Sequence, residues 1–342
     1  PAIAATYGIQ GYSKLRKQFN IPIGKMQGVQ EKLANMMYQT ILIDSGIRYM
    51  NSILDSGEKP AVLSAILKQQ ATERARKVIL DGMDVHGGSG IILGENNFLH
   101  KYYQSIPVGV TVEGSNTLTR SLIIFGQGLN KSHPYISQIV ESLMFKEKSG
   151  MFNSLFKDMI LHSTGLFVRS TMPSMRTFGC IKESWKDNIV IFANLSNIVS
   201  LMGGSLKKEQ VISGLMADLF STCYLSQAVI WDYETRGLKD HQSESIVLKA
   251  LDSEFSNTLF LLKSNLPSHL KILSDISCRS SRNTISEGKF SADTVEYLSS
   301  LMWDDNNIRS HFENQIIVDS GPLKDIKVAV DSPEDSRDEL VA

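Results

Sequence analysis

A long apolar stripe near the start of the chain sets the strongest limit on its fold. Between Met26 and Leu54 a series of positions recurs in alternating steps of three and four, and every residue in the series except Thr40 is apolar. That spacing is typical of one face of an α-helix. Gly57 follows where a left-handed C-cap is expected, and Pro60 falls at the tolerated first turn of a second helix. Because the link between them is short, the two helices are predicted to pack as antiparallel neighbours.

The rest of the chain also favours helices over strands. A glycine-rich turn at 87–90 ends the second helix, and a short helix around 98–105 and an extended segment at 107–112 follow. A further long helix is predicted to start at Ser115 or Asn116, which are both good N-caps. The helices predicted in the second half cover residues 134–146, 152–166, 187–201, 207–236 and 245–262.

We therefore predict an all-α protein in which a four-helix bundle is followed by an additional helical domain. The bundle is assigned to residues 1–130, with its first helix cut short, and the second domain to 131–278. Polar residues dominate after that point, so residues 279–342 are predicted to form a polar, partly disordered tail. The only late strand candidates are 316–318 and 326–330.

Composition narrows the classes of function. The 342 residues include 35 Lys+Arg and 36 Asp+Glu, and the formal net charge of −1 offers no case for a nucleic-acid partner. Cys180, Cys223 and Cys278 are widely spaced, which disfavours a disulfide framework or a zinc site and fits a reducing compartment. No run reaches the roughly 18 apolar residues of a membrane span, and no signal peptide is visible. The helix-like opening at Pro1 predicts that the chain is a fragment or a processed piece.

Glu113 is the carboxylate with the most interesting surroundings. It directly precedes a predicted helix N-terminus and follows a run of apolar residues. Desolvation raises the pKa of a carboxyl group in such a place, whereas the helix dipole favours its ionised form. A general base needs a pKa that can be adjusted by two opposed effects of this kind. Spacing alone favours the alternative that Glu113 is an acid decorating a helix start.

Other residues have weaker claims to chemistry. The turn from Gly87 to Gly90 could let backbone N–H groups approach a phosphate, although a tight helix-ending turn is the favoured alternative. It lacks the preceding strand of a dinucleotide-binding fingerprint and the Gly-Lys of a P-loop. Arg16 could bind an anion or lie in water. None of the seven histidines has metal-ligand spacing, so no metal site is predicted.

Taken in order, several of these motifs resemble a known family. The run from Arg16 to Phe19, a long helical pair, the Gly87–Gly90 turn and Val112-Glu113-Gly114 resemble the C-terminal helical domain of acyl-CoA dehydrogenases. Further stretches are closer to the large bacterial fatty-acid branch of that family, and they are residues 24–29, 111–121, 125–128, 133–135 and 203–207. The resemblance covers nearly the whole chain and fades after about Leu270.

The resemblance implies FAD-dependent oxidation of fatty acyl-CoA to trans-2-enoyl-CoA in β-oxidation. It implies that a glutamate removes the α-proton while the β-hydrogen passes as hydride to the flavin, with an electron-transfer acceptor downstream. By motif position, the resemblance implies that Glu113 is the base and that Arg16, Gln18 and Phe19 reach the FAD of a facing subunit. It implies that Gly87 and Gly88 lie near the FAD phosphates and adenosine, and that Ser115 and Thr117 lie beside the flavin. Asp84 departs from the family pattern, which often has Gln there.

The same resemblance implies a homo-oligomer. The predicted location is the cytoplasm, with membrane association as a further option. Because the family's N-terminal helical and middle β-domains are absent from this sequence, the isolated chain is predicted to bind FAD weakly and to have little turnover. The alternative from another class is a non-enzymatic helical interaction module. A membrane-peripheral assembly factor is a third option, but no basic amphipathic face supports it.

Overall fold

The computed structural model describes residues 1–129, 133–145, 150–172, 184–236, 241–278 and 290–333, and these residues fold into α-helices with one small hairpin. Cys180 and the last residues of the predicted tail, 334–342, lie outside the described residues. No helix in the described ranges is long and apolar enough to cross a membrane. The all-α prediction is confirmed.

Three long helices form the first half. They are α1 (Ala2–Leu15), α2 (Gln27–Asp55) and α3 (Ala61–His86). The predicted stripe lies on α2, but this helix is buried on more than one face because it packs against α1, α3 and two helices from later in the chain. Gly57 has a φ of +88°, which confirms the left-handed C-cap. Pro60 directly precedes α3, as its N-cap residue.

The segment after α1 is a hairpin rather than a continuation of the helix. Strands β1 (Lys17–Gln18) and β2 (Ile21–Pro22) pair antiparallel, with Gln18 opposite Ile21. The two turn residues, Phe19 and Asn20, have φ of +53° and +63°. Two successive positive φ angles define a type I′ turn, whose twist matches that of the paired strands.

The predicted extended segment at 107–112 is helical up to Thr111, and only Val112 is extended. Two short helices, α4 (Gly88–Ile91) and α5 (His100–Thr111), follow α3, and Pro107 lies inside α5. Helix α5 packs against α3 at Gly109, where an added Cβ would lie 3.4 Å from the methyl carbon of Thr72, which is an ordinary contact distance. This packing holds the helix together past the proline, which sequence rules place at helix starts.

The long helix predicted after the Glu113 turn is only partly α-helical. It starts as α6 (Asn116–Leu118) and widens into a π-helix (Thr119–Gln127). Ser115 occupies the N-cap position, but its side chain makes no capping hydrogen bond. The π-helix packs against α3 and against a central helix of the second half.

All five helices predicted in the second half are present, with shifted ends. Residue 146 lies outside the described residues. The helices are α7 (Ile136–Met144), α8 (Phe152–Thr171), α9 (Ser184–Ser200), α10 (Gln210–Arg236), α11 (His241–Asn265) and, in addition, α12 (Ser268–Ser277). Helix α10 is central, since it packs against α2, α9, α11 and the π-helix.

The prediction of a polar tail is wrong for residues 290–333. Three helices occupy this range, α13 (Ala292–Asp304), α14 (Asn306–Glu313) and α15 (Gly321–Asp331). They cover α1 and α2, and Leu298 on α13 is fully buried. The average polarity of the segment hides amphipathic helices, each of which buries one narrow face. The late strand candidates are also wrong, since 326–330 lies in α15 and 316–318 forms no strand.

The division into domains at 130/131 does not correspond to separate cores. One hydrophobic cluster runs from Ala4 to Leu323 through all three predicted segments. A buried carboxylate also links the first two segments, because Asp232 on α10 accepts hydrogen bonds from Ser45 (2.7 Å) and Arg48 (2.8 Å) on α2. The bundle and the second half are therefore packed as one body around α2 and α10.

Candidate functional site

The predicted site residues fall into two groups along α3. The first group comprises the hairpin with Arg16, Gln18 and Phe19 and the turn with Gly87 and Gly88. These segments follow the C-terminal ends of α1 and α3. The two helix ends contact each other through the edge-on rings of Tyr12 and His86, whose centroids are 4.7 Å apart. Burial lowers the pKa of His86, so its ring is neutral at pH 7.

The second group surrounds Glu113 and is held by the other half of α3. Lys68 donates from Nζ to the carbonyl oxygen of Gly114 (2.6 Å) and to Oδ1 of Asn116 (2.8 Å). The Asn116 amide nitrogen in turn donates to Oγ1 of Thr72 (2.8 Å) and to Oε1 of Glu73 (3.0 Å). Four hydrogen bonds thus clamp the turn onto α3. No local sequence pattern indicates Lys68, and the pattern around Asn116 predicts only a helix cap.

The two groups are far apart on one chain. Thr72 marks the position of the Glu113 turn on α3, and His86 marks the other group, fourteen residues later. At 1.5 Å per residue that separation is about 21 Å along the helix axis. A single small cavity cannot collect Glu113, Arg16 and Gly87 from the same copy of the chain.

Glu113 is exposed and has a strained backbone. Its φ is +55°, and Gly114 follows with a φ of +91°. The left-handed conformation costs an L-residue with a Cβ atom roughly 1–2 kcal/mol. The apolar neighbours predicted to desolvate Glu113 do not do so within this chain, because α5 has no buried residue and Val108 and Val112 are exposed. The Glu113 turn and α5 therefore present an uncovered surface.

The residues of the first group are also open to solvent. Phe19 is 90% exposed at the tip of the hairpin, and Arg16 and Gln18 are exposed beside it. Gly87 has a φ of +62°, and a Cβ added to Gly87 or Gly88 would meet no atom within 4 Å. The backbone of this turn is thus accessible to a ligand. The predicted helix-ending turn is confirmed here, because Gly87 caps α3.

The negative charge of Asp84 is only partly compensated, because its lysine partner also pairs with a second carboxylate. Its Oδ2 atom lies 3.0 Å from Nζ of Lys32, which also binds Asp81 at 2.8 Å. These hydrogen bonds raise the pKa of Lys32 and keep it charged.

Ser115 and Thr117 flank the clamped turn. Ser115 is half-buried, whereas Thr117 is exposed and lines a groove of about 760 Å³ between α3, the π-helix, α10 and α11. Arg74 and Arg120 line the same groove, but both are paired, with Glu254 and Asp218 respectively. Within the residues that the structure describes, no group of three or more acidic, histidine or cysteine side chains could hold a metal ion.

Two family models match this chain. The model for the acyl-CoA dehydrogenase C-terminal domain matches residues 2–126, and the model for the bacterial type of acyl-CoA dehydrogenase C-terminal region matches residues 130–270. Together they cover more than half of the chain, which therefore belongs to the acyl-CoA dehydrogenase family and carries its C-terminal portion with the bacterial-type domain. The family resemblance of the sequence is confirmed.

Individual relatives match about a third of the chain, 33% in each of two cases. The chain is 34% identical over 114 residues to 3-(aryl)acrylate reductase of Clostridium sporogenes, covering 33% of this chain and 29% of the relative. It is 30% identical over 113 residues to mitochondrial isobutyryl-CoA dehydrogenase of Bos taurus, covering 33% of this chain and 27% of the relative. Each alignment therefore spans less than a third of these relatives.

A solved structure shares the fold over most of the chain. Acyl-CoA dehydrogenase from Bacillus anthracis, complexed with FAD, superposes with a TM-score of 0.62 at 17% identity, over 88% of this chain and 53% of that one. This chain thus spans about half the length of the solved protein.

Proposed function

We propose that this chain is the C-terminal part of an FAD-dependent acyl-CoA dehydrogenase in which Glu113 is the catalytic base. Family membership supports the reaction class. The observation that carries the role of Glu113 is its left-handed backbone on a turn clamped by Lys68 and Asn116. Backbone strain of this kind persists only where surrounding contacts enforce it, and it concentrates at functional sites.

The α-proton of a thioester is weakly acidic, so the base must be held over it for abstraction to proceed. The clamp performs that task, because it fixes the backbone from which the Glu113 carboxylate projects. The carboxylate oxygen accepts the proton from the α-carbon. The acceptor for the β-hydrogen, which leaves as hydride, would be supplied by bound FAD.

The open residues of the first group fit a bound dinucleotide. The open turn lets a phosphate approach the backbone N–H group of Gly88, whereas the N–H group of Gly87 already donates to the carbonyl oxygen of Met83 (3.0 Å). The exposed ring of Phe19 offers a stacking face, and Arg16 offers a positive charge.

The separation of about 21 Å along α3 favours a site shared between two copies of the chain. In this arrangement one copy contributes Glu113, Ser115 and Thr117 near the reacting carbons. Its partner contributes the hairpin and the Gly87 turn. A homo-oligomer follows from this shared site. We also propose a cytoplasmic location and an electron-transfer acceptor that would reoxidise the flavin.

The test of the base is Glu113→Gln in the gene product that contains this chain. We expect flavin absorbance to be retained and acyl-CoA-dependent bleaching to slow by at least about 10³-fold. Glu95→Gln is the matched control, since Glu95 is an exposed glutamate in the same half of the chain. Bleaching at the normal rate in Glu113→Gln contradicts the proposed role.

The substrate class is tested by comparing acyl groups. We propose fatty acyl-CoA and a place in β-oxidation, so kcat/KM is expected to be higher for straight-chain acyl-CoA than for isobutyryl-CoA or an arylpropionyl-CoA. The reverse order argues for a branched or aromatic substrate.

A non-enzymatic interaction module remains the second candidate, because Ile91, Ile92 and Leu93 form an apolar run that is 76%, 69% and 71% exposed. Activity of the isolated chain does not distinguish an enzyme from an interaction module, since we expect the isolated chain to bind FAD weakly and to show little turnover. The gene product that contains this chain distinguishes the two candidates, because an interaction module shows no acyl-CoA-dependent bleaching of flavin.

A further inference from the structure

An open groove lies between the π-helix, α7, α8 and the segment that joins α9 to α10. Its volume is about 660 Å³, which falls in the range of roughly 300–1,000 Å³ typical of small-molecule sites. None of the residues predicted for the FAD and acyl-CoA site lines this groove.

The apolar part of the wall is aliphatic. It includes Leu122, Ile136, Val140, Met159 and Leu201, and no aromatic ring lines the groove among the described residues. Leu201 is 69% exposed and Val140 is 44% exposed, so part of this aliphatic surface is in contact with water. Covering such surface with an alkyl chain is favourable because it releases the water that lies against it.

The groove offers little to a peptide. Among the described wall residues the Oγ atom of Ser200 already donates to the carbonyl oxygen of Asn197 (2.6 Å), and the hydroxyl group of Ser213 is buried beneath the surface. A peptide brings a backbone N–H and C=O group with every residue, and aliphatic walls would leave these groups unpaired. An alkyl chain has no such groups to satisfy, so the wall favours it over a peptide.

One cation lies at the wall of this groove. Lys207 is the only charged residue among the described residues that line it. Its side chain is exposed and forms no ion pair with any residue that the structure describes. An ammonium group beside an aliphatic groove complements a ligand that carries an anionic head group on an alkyl chain.

The backbone of one wall gives a second reason to expect a ligand. The π-helix (Thr119–Gln127) contributes Leu122 and Gly126 to the groove. This helix type is rare, and where it occurs it is frequently found at functional sites.

We propose that this groove binds a linear alkyl carboxylate, such as a free fatty acid. The alkyl chain lies along the aliphatic walls, and the carboxylate pairs with the ammonium group of Lys207. Because the residues predicted for catalysis and for FAD do not line the groove, the proposal does not rest on the role of Glu113.

Two ligands with the same chain and opposite charges test the proposal on the full chain. Decanoate has an anionic head group, whereas decyltrimethylammonium has a cationic one. In isothermal titration calorimetry below the micelle-forming concentrations, decanoate is expected to bind saturably and about tenfold more tightly than the cation, because attraction to Lys207 replaces repulsion. Equal affinities, or no saturable binding of decanoate, overturn the proposal.

Matched lysine variants locate the head group. Lys207→Met keeps the alkyl stem but removes the charge, so it is expected to weaken decanoate binding about fivefold. Lys208→Met is the control, because Lys208 is also exposed but does not line the groove. Equal effects of the two substitutions contradict the assignment of the carboxylate to Lys207.

A variant of the exposed wall locates the alkyl chain. Leu201→Asp places a carboxylate where the chain is expected to lie, and it is expected to abolish decanoate binding while the helical circular dichroism is kept, since Leu201 is 69% exposed. Unchanged binding in folded Leu201→Asp protein overturns the proposal. Sedimentation velocity tests a second copy of the chain as the occupant. A dimer that Leu201→Asp dissociates, together with no decanoate binding by the unchanged chain, would replace the fatty acid with that second copy.

Discussion

The ammonium group of Lys68 lies 2.6 Å from the carbonyl oxygen of Gly114, which is 46 residues away along the chain. This contact attaches the turn after α5 to the side of α3. It also brings a positive charge to the carbonyl-rich C-terminal end of α5, where a helix dipole is stabilised by a cation. The position of Glu113 therefore depends on a side chain from another helix rather than on its own neighbours.

Removing that ammonium group is expected to loosen the turn. Lys68→Met leaves the Gly114 carbonyl and the Asn116 amide oxygen without their shared donor, so the free energy of unfolding should fall by about 1 kcal/mol. Amide hydrogen exchange at residues 113–116 should accelerate more than exchange elsewhere in α3. Lys101→Met, which removes an exposed lysine from α5, serves as the control and should change neither quantity appreciably.

Relief of the backbone strain at Glu113 is expected to stabilise the chain. Glycine adopts a φ of +55° without steric cost, so Glu113→Gly should raise the free energy of unfolding by about 0.5–1 kcal/mol after the entropy of the flexible unfolded glycine is subtracted. Chemical denaturation measures the change. Glu95→Gly, at a position without a positive φ, should instead destabilise the chain. A loss of stability in Glu113→Gly contradicts the assigned strain.

Helix α13 is expected to behave as part of the core. Leu298 is fully buried, so Leu298→Ala should lower the free energy of unfolding by about 3 kcal/mol through lost burial and a new cavity. Ile317 lies in the same C-terminal segment but is 75% exposed, and Ile317→Ala should change stability by less than about 0.5 kcal/mol. Similar effects of the two substitutions in urea denaturation would show that the segment behaves as a tail.

The chain should lose stability in acid through Glu313. Burial by itself raises the pKa of this carboxyl group, but hydrogen bonds from Lys327, Tyr7 and Arg309 outweigh it and lower the pKa from 4.5 to about 2. A carboxyl group whose folded pKa is depressed stabilises the fold above its unfolded pKa, and this contribution is lost as the pH falls from 4.5 towards 2.

Glu313→Gln tests that contribution. At pH 7 the variant should be less stable by about 2 kcal/mol, because hydrogen bonds to a charged acceptor are replaced by weaker ones. Its stability should also fall less steeply than that of the unchanged chain between pH 4.5 and 2. Glu296→Gln, at an exposed position on α13, should keep the steep fall. Parallel acid profiles for the unchanged chain and Glu313→Gln contradict the prediction.

Local sequence patterns predicted the structure correctly where a single helix or turn determines it. The apolar spacing predicted α2 to within one residue at each end, and Gly57 and Gly87 marked real helix ends. These features depend on contacts within a few residues, which the sequence shows directly. The same rules failed at Pro107 and at residues 290–333, where packing against distant helices stabilises structure that local propensity disfavours.

The residue types of the candidate site could be predicted from the local sequence in the same way, but their arrangement in space could not. A glutamate before a glycine, an aromatic residue after a helix and a glycine pair can each be recognised from the local sequence, and family motifs give their order along the chain. The clamp from Lys68 and the separation of about 21 Å between the two groups along α3 arise from contacts between residues far apart in sequence. Such contacts depend on how the helices pack, because side chains meet across a fold according to helix position and register rather than sequence order.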